Sequence, residues 1–266
     1  MAYKYEPIPQ DAHTRVLELQ PALDPNMPLR GNFRYVNLDI DPFYDAISYT
    51  WGDPVFTEEI VIDEVFRLDI TPNLRDALVR FRAPLETRSI WADAICINQK
   101  NDAEKAKQIP LMTEIYRCAS SVLVWLGRFP EAARSMQSIA FLSQKRTFAA
   151  SPSEQDEIAS ALNELVSLLW FSRRWVIQEV VSNPNVAFFC GTISLPWLQI
   201  VLLLKRLPSP SIPHLQTLEE LWNVKVLQKP PKSEMGIFNL LSTFSEAQCS
   251  DGRDRIYALA SLAQDV

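Results

Sequence analysis

The stretch that decides the fold is Ser121-Val122-Leu123-Val124-Trp125-Leu126-Gly127. It is uncharged, nearly continuous in apolar residues and stopped by glycine, which reads as a strand buried on both faces, the habit of parallel sheets. Working back from it, a helix runs to about Ala119 with Ile109, Met112 and Ile115/Tyr116 at helical spacing, and Pro110 inside that pattern predicts a kink or a late start. A polar loop carrying Asn98, Gln99, Asn101 and Asp102 precedes the helix, and Ser89–Ala92 before it reads as a strand ending at Asp93. Further back, Thr71-Pro72 opens a helix with Leu74, Leu78 and Phe81 as its stripe, and Ala46–Trp51 reads as a strand stopped by Gly52-Asp53-Pro54. Strand, helix, strand, helix, strand is the pattern of a parallel sheet with right-handed crossovers. The expectation is an α/β fold: a mainly parallel central sheet with strands near 46–50, 89–92 and 121–126, and helices on both faces.

Outside that core, residues 1–32 carry Pro7, Pro9, Pro21, Pro25 and Pro28 around a short apolar stretch at Val16–Leu19, which suggests an edge strand and an extended loop. Phe33–Ile40 alternates and reads as a strand, and Ile60–Ile62, Asp63-Glu64 and Val65–Ile70 read as a hairpin. After Gly127 the sequence predicts helices at about 130–147 and 153–170, another at Arg173–Ser182, and a hairpin of Val186–Cys190 and Thr192–Leu195 turning at Gly191. From Pro196 the chain reads as helical, broken by prolines between 208 and 213 and at 230–231. The final helix, Arg253 to about Ala263, ends on an apolar face, as in a piece cut from a longer protein. The division expected is a domain over 1–195 with a helical extension, 196–266, packed on it.

Composition removes several chemistries. The six glycines are scattered, which excludes the clustered glycines of a dinucleotide or Walker phosphate loop. The two histidines, His13 and His214, are far apart, so neither a multi-histidine metal site nor a histidine-based triad is expected. Net charge is −6 with no basic run interleaved with aromatics, which argues against a nucleic-acid partner. Cys96, Cys118, Cys190 and Cys249 form no CxxC pair and read as reduced thiols. The N-terminal MAYKYEPIPQ lacks the apolar core of a signal peptide, and the longest apolar run, Ile200–Leu204, falls far short of a membrane span. A cytoplasmic protein with no membrane partner is expected.

In open α/β sheets ligands bind beyond the carboxyl ends of parallel strands. Ser48–Asp53, Asp93–Gln99 and the loop after Gly127 belong there. In the 173–182 helix, Val176, Ile177, Val180 and Val181 form one stripe, and Trp175, Gln178, Glu179 and Ser182 another. Glu179 is thus off the core-facing stripe, with no Lys or Arg three or four residues away. Each candidate has an ordinary alternative. Glu179 can be solvated or paired with a distant arginine, and Asp93 can be a cap. Trp51-Gly52-Asp53 can be a strand-ending turn with a core tryptophan. Arg173 and Arg174 can be a surface pair rather than a phosphate clamp.

Tyr44–Asp53 (YDAISYTWGD) resembles the opening motif of the fungal heterokaryon-incompatibility (HET) domain. Trp91–Gln99 (WADAICINQ), continuing through Glu104, Gln108, Met112, Ile115-Tyr116, Ala119 and Val122–Gly127, resembles its central motif. Arg174–Glu179 (RWVIQE) resembles the third, and Asp254–Leu259 (DRIYAL) a block often found downstream, which gives a motif core of 44–180. The resemblance implies an effector of fungal non-self recognition and programmed cell death. HET domains are also remotely similar to the Toll/interleukin-1 receptor (TIR) fold. Tyr44–Tyr49 is similar to the first TIR box, and Ser172–Glu179 to the TIR helix whose glutamate cleaves NAD in catalytic members.

That second likeness implies a TIR-like or flavodoxin-like sheet with β-hairpin insertions and Glu179 as the catalytic residue. Ser48, Trp51, Gly52, Asp53, Asp93, Asn98, Arg173, Arg174 and Trp175 would then surround the substrate. NAD or a related nucleotide would be that substrate, with no cofactor and no metal. Nicotinamide leaves as a neutral molecule from a cationic pyridinium, so one carboxylate stabilising the oxocarbenium-like transition state can serve where ordinary glycosidases use two. The partners implied are further copies of the chain, an incompatibility partner protein, or both. The alternative is a non-catalytic, self-assembling interaction domain. If the 173–182 helix starts at the carboxyl edge of the sheet, Glu179 is expected to face a cleft also lined by Ser48, Trp51 and Asp93.

Overall fold

The first strand, β1 (His13–Leu19), contains no proline, and the five prolines around it bound the strand rather than interrupt it. It runs antiparallel to β2 (Leu29–Asn37), with Leu19 opposite Gly31. A Cβ on Gly31 would lie 2.7 Å from the Glu18 carbonyl oxygen and 2.8 Å from Leu17 Cδ1, so the two strands meet at a position only glycine fits. The strand expected at 33–40 therefore starts earlier, at Leu29, and stops at Asn37. Next come β3 (Asp45–Tyr49), β4 (Glu58–Ile62) and β5 (Phe66–Ile70). The β4–β5 turn holds Asp63 at φ 51° and Glu64 at φ 61°, and closes with the Val65 N–H on the Ile62 carbonyl at 3.3 Å. Two successive left-handed residues are what a type I′ hairpin turn requires.

The Thr71 side chain caps α1 (Pro72–Phe81), accepting the Leu74 N–H, and Leu74, Ala77, Leu78 and Phe81 are buried. β6 (Arg88–Trp91) leads into α2 (Asp93–Cys96). Then α3 (Asp102–Gln108), one 3₁₀ turn (Ile109–Leu111) and α4 (Met112–Cys118) follow, so the helix breaks at Pro110 as its missing N–H demands. Finally β7 (Ser121–Gly127) is buried almost throughout.

The computed structural model describes residues 1–9, 11–40, 42–145, 150–208, 211–229, 236–249 and 251–265. Its backbone forms two compact units, Met1–Gly127 and Arg128–Val266. In the first, the strand order is β5-β4-β2-β1-β6-β3-β7. β6, β3 and β7 are mutually parallel, as expected, and β2 is parallel to β4. β1, however, is antiparallel to both β2 and β6, and β4 is antiparallel to β5. The mainly parallel sheet is therefore corrected to a mixed one, and β1 from an edge strand to an interior strand. The physical cause is the connections: β1–β2 and β4–β5 are joined without a crossover, and such joins pair strands antiparallel.

Both faces of this sheet carry helices. Ala46 aligns with Trp91 and Tyr49 with Trp125, and residues three apart on a strand point to opposite faces. Tyr116 of α4 packs edge-on against Trp91 at 5.5 Å, while Phe81 of α1 does the same against Trp125 at 6.2 Å. At the amino ends of the parallel strands, the Asp45 carboxylate takes the Arg88 guanidinium at 2.8 Å and the Ser121 hydroxyl at 2.6 Å, which fixes the register of β3, β6 and β7.

The second unit begins with α5 (Pro130–Ser143) and α6 (Pro152–Val166), the latter opened by a Ser151/Glu154 capping box. Residues 146–147, expected to end the first of these helices, lie outside the described residues. The helix expected over 153–170 stops at Val166, and α7 (Leu169–Ser172) is separate from it. Then come α8 (Val176–Val181) and the antiparallel hairpin of β8 (Val186–Cys190) and β9 (Ile193–Pro196), which turns at Gly191 with φ 56°. The remainder is helical, as expected: α9 (Trp197–Leu204), α10 (Pro213–Lys225), α11 (Ile237–Thr243) and α12 (Asp254–Ala260). Phe171 stacks on Phe188, with Trp170 edge-on to both and Trp197 beside Phe188, forming this unit's aromatic core. Among the described residues no helix is long and apolar enough to cross a membrane.

Candidate functional site

Because β3 and β6 are parallel, Thr50–Asp53 and Ala92–Gln99 leave the sheet at one edge. There the Trp51 indole N–H donates to Asp93 Oδ2 at 2.9 Å, so two of the expected residues meet. Trp51 is 37% exposed rather than part of the core. The other Asp93 oxygen accepts the Ala94 N–H at 2.8 Å, and its carbonyl takes the Gln99 side-chain amide at 2.7 Å. Asp93 thus holds the α2 turn and Trp51 together. Gly52, at φ 70°, turns the chain outward and Asp53 is exposed, its carbonyl accepting the Val55 N–H. Ser48 is buried within β3. Asn98 is half-buried, and its Oδ1 accepts the Lys100 N–H in a local turn.

Sequence reasoning missed Asn73. Its amide donates to the Thr50 carbonyl at 2.6 Å and accepts the Trp125 indole N–H at 2.9 Å, stapling the carboxyl ends of β3 and β7. Its one signal is its position just inside the helix that Thr71-Pro72 opens.

The central motif is organised by a buried ion pair. Arg15, 0% exposed in β1, donates to Glu104 Oε1 at 3.0 Å and to the Cys96 carbonyl at 2.8 Å. Glu104 also accepts the Asn98 N–H at 2.7 Å. Burial penalises the Arg15 charge, and the hydrogen bonds and attraction of Glu104 outweigh the penalty, so the guanidinium holds its proton more tightly than usual. The Tyr5 ring stacks 4.7 Å from this guanidinium, and Trp91 and Gln108 bond back to β1 through Thr14 and His13. Glu104, Gln108 and Trp91 therefore brace the 93–99 loop and its flanks against β1. Burial pushes the Cys96 thiol up to about 12 and Cys118 up to about 11, so neither is a thiolate nucleophile at neutral pH.

In the second unit every residue of α8 is buried, which corrects the expected polar stripe. Glu179 is 2% exposed, and Arg173 Nη2 stands 3.9 Å from its Oε1, beyond hydrogen-bond distance. Arg174 is not at the surface. Its guanidinium donates to the Phe244, Ala247 and Arg255 carbonyls. The Trp175 indole donates to Asp254 Oδ2 at 3.0 Å, and the Gln178 amide to the Tyr257 carbonyl at 2.9 Å. The polar stripe is covered by a segment some seventy to eighty residues onward, which no helical periodicity can register. The structure thus pairs Trp51 with Asp93 in one unit and Arg173 with Glu179 in the other. Among the described residues, no group of three or more His, Cys, Asp or Glu side chains is arranged to hold a metal ion.

Trp51, Asp93, Arg173 and Glu179 all lie within one stretch of family-like sequence. Residues 44–179 match the sequence family described as heterokaryon incompatibility protein (HET). The chain is 29% identical over 225 residues to heterokaryon incompatibility protein 6, OR allele, of Neurospora crassa, an alignment covering 67% of this chain and 33% of that protein. It is 26% identical over 152 residues to the vegetative incompatibility protein HET-E-1 of Podospora anserina, covering 56% of this chain and 10% of that protein. The chain thus spans a third or less of the length of these relatives. No solved structure gives a significant match. The family match runs from Tyr44, at the head of β3, to Glu179 on α8, half of the chain, and on that ground the chain belongs to the heterokaryon incompatibility (HET) family.

Proposed function

We propose that the chain is an effector domain of heterokaryon incompatibility and that its output is TIR-like cleavage of NAD, with Glu179 as the catalytic carboxylate. The observation that supports this is the setting of Glu179: a carboxylate 2% exposed, with the Arg173 guanidinium 3.9 Å from it. In a low-dielectric surrounding a fixed charge stabilises a developing cation far better than in water. In the reaction the bond from ribose C1′ to the nicotinamide nitrogen breaks, and its electron pair stays on that nitrogen. Water adds to C1′ and releases a proton to solvent, leaving ADP-ribose. Glu179 opposes the positive charge at C1′, and Arg173 has the charge for the diphosphate. Glu179 is closed to solvent here, so turnover belongs to an assembled state that admits NAD to Glu179 while α8 stays held at its amino end.

The same burial favours a second reading, in which Arg173 and Glu179 are an interior ion pair and the domain signals by self-assembly alone. Inducible expression in a fungal host separates the two. The NAD reading predicts that cellular NAD collapses before viability is lost, and that Glu179→Gln abolishes both effects at equal protein level. Death without NAD loss, unchanged in Glu179→Gln, selects the second reading.

A further inference from the structure

The hydrogen bonds of the Arg174–Gln178 stretch converge on one segment. The Arg174 guanidinium reaches the Phe244, Ala247 and Arg255 carbonyls, the Trp175 indole the Asp254 carboxylate, and Gln178 the Tyr257 carbonyl and the Ser261 hydroxyl. The backbone joins in, with the Arg174 N–H on the Gln248 carbonyl at 2.8 Å and the Gln248 N–H on the Ser172 carbonyl at 2.6 Å. A six-residue helix is too short to be held by its own hydrogen bonds. The orientation of α8 is therefore set from outside, with α10 packed against it and residues 244–249 and 251–261 holding its amino end by hydrogen bonds.

We propose that this segment is a positioning element for Glu179, and that it acts through Asp254, which fixes Trp175 at the entry to α8. Asp254 is singled out by what each acceptor requires. The Arg174 and Tyr257 contacts end on main-chain carbonyls, which any side chain supplies, whereas the Trp175 bond needs a side-chain acceptor oxygen at position 254. Asp254 reaches Glu179 through Trp175, whose carbonyl accepts the Glu179 N–H at 3.3 Å one turn on. Burial raises the half-buried Asp254 carboxyl, and the indole N–H offsets part of that rise.

The proposal rests on the NAD reading for its catalytic readout alone, and a second readout is independent of it. Asp254→Leu removes the acceptor, and Asp254→Asn keeps an acceptor oxygen. Trp175→Phe keeps a ring while removing the N–H, and serves if Asp254→Leu fails to fold. In the full chain, hydrogen exchange over α8 is followed by mass spectrometry beside nicotinamide release from NAD. Loss of that bond is expected to speed α8 exchange by roughly tenfold or more in Asp254→Leu and Trp175→Phe, leaving β8 unchanged. The same variants should lose roughly tenfold in kcat with KM nearly constant, and Asp254→Asn should stay near the parent in both readouts. Unchanged α8 exchange in Asp254→Leu and Trp175→Phe overturns the proposal, as does equal loosening of β8, the mark of general destabilisation. A parent chain that releases no nicotinamide overturns the NAD reading, and the exchange data then decide the positioning role by themselves.

Discussion

Replacing Glu104 by alanine leaves Arg15 buried among neutral partners: the Cys96 and Glu6 carbonyls and the rings of Tyr5 and Tyr35. Removing one side of a buried pair costs about 3–5 kcal/mol, because the remaining charge is uncompensated in the interior. The Asn98 N–H also loses its acceptor, but Asn98 is half-buried and water can replace it, so the stranded arginine dominates. Against a total stability of about 5–15 kcal/mol this is a large fraction. Glu104→Gln retains a neutral acceptor and should fall between parent and alanine. The double variant Arg15→Met with Glu104→Leu removes both charges and their desolvation cost, and should recover most of the loss. Urea unfolding followed by tryptophan fluorescence, compared at constant m value for the parent, Arg15→Met, Glu104→Leu and the double variant, gives the four corners of the cycle. A Glu104→Ala loss under about 1 kcal/mol, the range of an exposed pair, would refute the hub, as would a double variant as unstable as the sum of its parts.

Asn73→Ala strands the buried Trp125 indole N–H and should cost about 1–3 kcal/mol, with faster proteolysis in the exposed 51–57 loop that Thr50 anchors. Gly31→Ala forces a methyl group against the Glu18 carbonyl and should cost about 1–3 kcal/mol by urea midpoint, since the clash is with the backbone of a central strand. Burial holds the His214 imidazole below its ordinary value, beside Phe244. The unfolded chain therefore binds that proton first. The stability it contributes is complete above about pH 6.5 and drains as pH falls through the lowered folded value. His214→Leu should flatten that limb of a stability-against-pH curve, and an unchanged slope contradicts the assignment.

The parallel strands β3, β6 and β7 are legible because each is a short apolar run ended by Asp, Gly or a polar turn, with helical spacing between them. The strands around β1 are less so, since alternation reports which face is buried and not which neighbour pairs or in which direction. The prolines flanking β1 describe its ends and mislead about its place in the sheet. Trp51 and Asp93 could be brought together from topology alone, because parallel strands share an edge. Glu179 could not be placed by its stripe. The cover over α8 comes from Asp254 and its neighbours, a separation of 79 residues for Trp175. Arg15 is silent for the same reason: it lies just before the apolar stretch at Val16–Leu19, and its partner Glu104 lies 89 residues away.

The measurement that bears most directly on the central claim is the yield of nicotinamide and ADP-ribose from NAD by the purified chain, clustered on a bead or vesicle surface, with Glu179→Gln beside it. Cleavage by one interior carboxylate predicts the two products in equal amounts from the parent, and a fall of roughly a hundredfold or more in Glu179→Gln with the circular dichroism spectrum unchanged. A clustered parent that forms neither product, or a Glu179→Gln chain that turns NAD over at the parent rate, contradicts it.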